Sequence, residues 1–117
     1  MASVSQIEEW FSILGAGMAG LRLLREYGIR TVELEYFTEN FGKSEMKISA
    51  FAPPPLRDQY EPKFSSIKKK ILSGIEAISD PEVSAETLNK LLENTKDMYL
   101  LLNDVHRTFA SGFILTQ

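Results

Sequence analysis

The densest chemistry in this 117-residue chain is a lysine cluster: Lys68, Lys69 and Lys70, with Lys63 upstream on the same predicted helix. Ammonium groups so close together suit phosphate oxygens or an acidic partner, because each contact releases counterions. The run spans about one helical turn, so its side chains fan out around the axis. Ile67 and Ile71 take the buried side and leave the lysines as a solvated face. Other reactive types are sparse. His106 is the single histidine and cysteine is absent, which excludes disulfides, thiolate nucleophiles and thiolate metal sites. Glu33 and Glu35 could share a hard cation, but such sites draw on a denser set of oxygens. Ser65, Ser66, Ser73 and Ser111 lack a base and a cleft that the sequence identifies. No catalytic, cofactor-binding or metal-binding residue is assigned, and the chain reads as a non-enzyme that needs no cofactor.

Gly15, Gly17 and Gly20 have the spacing GxGxxG inside SILGAGMAGLRLLREYGIRTVELEYF. Between a strand and a helix, such a turn lets backbone approach a pyrophosphate. ILGAGMAGL followed by GIRTVELE resembles the opening of flavin-dependent oxidoreductases of the Rossmann type. The resemblance covers about one quarter of the chain, and its short motif depends on the strand–turn–helix context. It implies that Gly15, Gly17 and Gly20 line the pyrophosphate while Glu33 or Glu35 accepts from a ribose hydroxyl.

A helix accounts for more of the segment. Ile7, Trp10, Leu14, Gly17, Leu21 and Leu24 recur at helical intervals, with Phe11 and Met18 widening the face. Ser5 and Glu8 have the spacing of a capping box. The downstream sequence offers no repeated β-α units to complete a parallel sheet. In a helix the glycines thin one face so that a neighbour can approach closely, or they mark a kink, at about 0.8–1 kcal/mol each relative to Ala. Gly28 is a natural C-cap after Tyr27.

The elements that follow complete an α+β, predominantly helical expectation in the order α-β-β-α-α. Val32, Leu34 and Tyr36 alternate with Glu33 and Glu35, and Met46, Ile48 and Ala50 alternate with Glu45, Lys47 and Ser49. Both patterns predict strands, joined by a turn at residues 38–43. The resulting β-hairpin sets Glu33 and Glu35 against Lys47 and leaves an outer strand edge. Phe41, at the turn tip, is a core residue or an exposed protein contact. Residues 52–59, with three consecutive prolines, read as a rigid internal connection. Tyr60, Phe64, Ile67, Ile71, Gly74 and Ile78 then hold a 4-3 rhythm, with Pro62 at an early helical position. Ser84, Leu88, Leu91, Thr95, Met98, Leu102, Val105 and Phe109 continue it on a last helix. Asp80 or Ser84 caps that helix, and the short corner makes the two helices an antiparallel pair at coiled-coil spacing. Gly112 is expected to stop the last helix, leaving residues 112–117 as an apolar tail containing Phe113, Ile114 and Leu115.

The whole chain, 1–117, is expected to form one small domain. Its net charge is −3, with five bases and seven acids in residues 1–50 and eight bases and nine acids in residues 51–117. Neither half is basic, which disfavours a nucleic-acid surface. No apolar run reaches membrane-span length, no leader composition opens the chain, and a cytoplasmic or nuclear location is the default. The leading functional expectation is a protein-interaction or assembly subunit, an adaptor or oligomer. It would bind another protein or a second copy, as a homodimer or larger, through helical faces, a strand edge or the apolar tail. Phe41, Phe113, Ile114 and Leu115 are its candidate protein-binding residues. Two alternatives follow. One is a nucleic-acid-associated accessory protein using Lys63, Lys68, Lys69 and Lys70 on phosphate. The other is a small dinucleotide or flavin binder using Gly15, Gly17 and Gly20.

Overall fold

The computed structural model describes residues 4–116, with side chains for residues 5–108. Four helices carry the fold: α1 (Val4–Tyr27), α2 (Val32–Asn40), α3 (Leu56–Ala77) and α4 (Ala85–Thr116), with a 3-10 turn at Ile48–Ala50. No strand occurs among the described residues, so the expected α+β class and its β-hairpin are corrected to an all-helical fold. The proposed ladder between Glu33, Glu35 and Lys47, and the open strand edge, disappear with it.

Local chemistry explains the correction. Thr31 is extended and its side chain accepts from the Leu34 amide at 3.3 Å, an N-cap that starts α2. Glu33 and Glu35 lie in the first turn, where carboxylates complement the helix dipole. Leu34, Phe37 and Phe41, spaced by three and four residues, are all buried, whereas Val32 is 78% exposed. Burial thus follows a helical period, not the alternation of Val32, Leu34 and Tyr36. In the second expected strand, Met46, Ile48 and Ala50 are buried as their alternation suggested, but on a loop and a 3-10 turn.

α1 is uninterrupted and buries Trp10, Ile13, Leu14, Leu21 and Leu24. It already includes Val4, so Ser5 does not occupy the expected cap position. Gly28 adopts φ +67 and its amide donates to the Leu24 carbonyl at 2.9 Å, ending the helix with the left-handed geometry that glycine tolerates. α2 runs antiparallel to α1, since Gly17 meets Phe37 and Gly20 meets Leu34. α4 is antiparallel to both long neighbours. Tyr60 and Gly74 of α3 face Asp104 and Leu91, while Phe11 and Arg25 of α1 face Tyr99 and Asn89. At 32 residues, α4 spans about 48 Å, close to the 52 Å long axis of the molecule.

The proline segment is shorter as a connection than expected, because α3 begins at Leu56. The Pro53 and Pro55 carbonyls accept the first helical amides, from Arg57 at 2.9 Å and Gln59 at 3.2 Å. Pro62 is therefore interior to α3, not at its first turn. Ser84, not Asp80, caps α4: its hydroxyl accepts from the Thr87 amide at 3.1 Å. Asp80 instead closes the preceding turn by accepting from the Glu82 amide at 2.9 Å. α4 continues through Gly112 to Thr116, so Gly112 does not end it. Thr95 is the one buried polar side chain among the described residues, and its hydroxyl donates to the Leu91 carbonyl at 2.7 Å.

Candidate interaction surface

The sequence-derived sites disperse in the structure. Phe41 is fully buried, with its ring 5.8 Å from that of Phe37, so it is a core residue and not a protein contact. Phe113, Ile114 and Leu115 have side chains outside the described residues; their backbone belongs to α4. Gly15, Gly17 and Gly20 lie within α1, without the strand and turn that a pyrophosphate cradle requires. Gly17 and Gly20 are covered by α2, where an added β-carbon would meet Phe37 at 2.5 Å and Leu34 at 2.7 Å.

The lysine run divides. Lys68 is half-buried; its ammonium donates to the Met46 carbonyl at 2.7 Å and lies 5.9 Å from the Phe64 ring centre. Lys63, Lys69 and Lys70 are exposed. Lys69 and Lys70 line an open groove of about 580 Å³ between α3 and α4, facing Thr87, Lys90 and Glu93. Lys90 pairs at 3.3 Å with Glu86, which lies outside the lining, and Glu93 sets a carboxylate on the wall. The groove is therefore of mixed charge, and Lys63 and Lys68 do not line it.

His106 is exposed, with its ring centre 6.4 Å from that of Phe51 and perpendicular to it. The Tyr60 hydroxyl donates to Asp104 at 3.2 Å across the α3–α4 seam. Its pKa is raised above the ordinary tyrosine value, first by loss of surrounding water and then by the Asp104 charge. Among the described residues, no group of three or more His, Asp or Glu converges as a metal site. No described helix is long and apolar enough to cross a membrane.

What the sequence reading overlooked lies at the α1–α2 corner. Gly28 breaks the helix and Thr31 restarts it, so residues 28–31 lie outside both helices, with residues 28–30 exposed. Tyr27 is 66% exposed and Ile29 53%, beside the exposed Val32. Leu23, one turn before Tyr27, is 37% exposed. Next to them, a groove of about 260 Å³ opens between α2 and the end of α3. Leu34, Ile75 and Ile78 give it apolar walls, and Arg30 and Glu35 set opposite charges on it. Arg30 also donates to the Asp80 carbonyl at 3.4 Å, a long bond that ties the corner to the α3–α4 turn. The signal was present in the sequence as apolar residues on both sides of a helix break, but the strand assignment absorbed Val32.

No known protein family, curated protein or solved structure matches this chain.

Proposed function

We propose that this chain is a non-catalytic interaction module that joins a protein partner, a different chain or a second copy, through its α1–α2 corner. The supporting observation is the exposure of Tyr27, Ile29 and Val32 within six consecutive residues. Apolar side chains scattered singly over a surface need no partner, whereas a clustered set rimmed by polar groups marks a contact site. Covering these residues releases the water they order, at about 25 cal/mol per Å² of apolar area. Arg30, Glu35 and the hydroxyl groups of Thr31, Thr38 and Ser79 would give the contact direction. The phosphate-binding alternative on Lys63, Lys68, Lys69 and Lys70 has less support, because Lys68 is bound to the Met46 carbonyl and only Lys69 and Lys70 share a groove, beside the Glu93 carboxylate.

The test is affinity capture and cross-linking from a native extract with wild type, Ile29→Lys and Val32→Lys. Both positions are exposed, so the variants should keep the wild-type circular dichroism spectrum and melting temperature while losing the captured species. Association through apolar surface should also survive added salt, unlike phosphate binding. Identical capture by all three proteins would remove the corner from consideration.

A further inference from the structure

We infer that the partner seated on the α1–α2 corner is a second copy of this chain, related by a two-fold axis and inserting reciprocally; this rests on the reading of the corner as an interaction surface. A two-fold contact uses the same patch twice, so the patch must carry both a projection and its receptor, and both signs of charge. The corner has each of these. Ile29 and Val32 project, and the receptor is the 260 Å³ groove walled by Leu34, Ile75 and Ile78. Arg30 and Thr31, which line that groove, lie between the two projecting residues in sequence. Projection and receptor therefore adjoin, the corner supplying one wall of the groove and Ile75, Ile78 and Ser79 at the end of α3 the other.

Charge selects the same occupant. Residues 22–35 carry Arg22, Arg25 and Arg30 against Glu26, Glu33 and Glu35, all exposed. This balanced set gives no advantage to a strongly acidic or strongly basic protein. Arg30 and Glu35 line the same groove, so a reversed copy seated in it can set Arg30 of one chain against Glu35 of the other, twice. The chain as a whole carries −3, so two copies repel over much of their surface and approach at least cost where the charges cancel.

Sedimentation equilibrium of the full chain, from micromolar to millimolar concentration, tests the inference. Wild type should approach twice the 13.2 kDa chain mass. Ile29→Lys and Val32→Lys should remain at the single-chain mass with unchanged helicity. Arg30→Glu should weaken dimerisation at least tenfold, and Arg30→Glu combined with Glu35→Arg should recover it. The chain has no cysteine of its own, so Val32→Cys and Ser79→Cys report on reciprocal insertion. Mixed together, the two variants should form a disulfide-linked dimer faster than either alone. A wild-type monomer at every concentration, or a dimer that both lysine variants preserve, overturns the inference. If the monomer persists but Val32→Lys still abolishes capture from extract, the corner remains an interaction surface and only its occupant is wrong. If capture is also unaffected, both readings fall.

Discussion

A β-carbon added to Gly17 would lie 2.5 Å from Cδ1 of Phe37. At Gly20 the obstacle is backbone: the Leu34 nitrogen and Cα would each be 2.7 Å away. Gly15, in the same helix, faces nothing within 4 Å. Three glycines that resemble one motif therefore do different physical work, and the α1–α2 seam depends on two of them.

Substituting alanine should separate them. Gly15→Ala is expected to stabilise the fold by up to about 1 kcal/mol, the helix-propensity difference. Gly17→Ala and Gly20→Ala gain the same propensity but must push α2 aside. Overpacking costs about 1–3 kcal/mol, and both should lower the urea midpoint, Gly20→Ala most because backbone cannot rotate away. A Gly20→Ala midpoint at or above wild type would show that close approach is not what the residue provides.

The lysines should likewise differ. Lys68→Ala breaks a charged hydrogen bond to the Met46 carbonyl and removes the ammonium group from over the Phe64 ring. A loss of about 1 kcal/mol is expected, visible in the thermal midpoint. Lys69→Ala and Lys70→Ala, both exposed, should stay within about 0.5 kcal/mol of wild type. Equal effects at all three positions would contradict the structural role given to Lys68.

Tyr60 predicts a pH dependence. Its folded pKa lies above the unfolded value, so its contribution is complete below about pH 10 and is lost as pH rises through the folded value. In that alkaline window the unfolded chain has released the proton and the folded chain has not. Wild-type stability should therefore fall more steeply with pH than that of Tyr60→Phe. Ultraviolet titration of tyrosinate should show one late-ionising group that the phenylalanine variant lacks. Superimposable stability–pH curves would rule this out.

Helices α1, α3 and α4 were legible because their buried residues recur over many turns. Phe64, Ile67, Ile71 and Ile78, then Leu88, Leu91, Thr95, Met98, Leu102 and Val105, sit where the rhythm placed them. α2 was not legible because nine residues are too few for period to decide. Val32, Leu34 and Tyr36 alternate, but Leu34, Phe37 and Phe41 also fit one helical face. Only the Thr31 cap and the first-turn glutamates break the tie. The stretch at Met46, Ile48 and Ala50 shows a second limit: alternation reported which side chains are inside while saying nothing reliable about the backbone. The corner surface was missed for a related reason. Exposure of Ile29 and Val32 is set by where two helices end, which periodicity does not encode.

The all-helical backbone has a consequence for how association can change over time. A sheet edge recruits through a generic ladder of amides and carbonyls, largely indifferent to sequence. The described segments of this molecule offer no such ladder. On the proposed reading of the corner, selectivity then resides in a few exposed groups, above all Ile29, Arg30 and Val32. Under that reading, single codon changes there redirect binding while leaving the bundle's interior untouched, and affinity and foldability evolve separately.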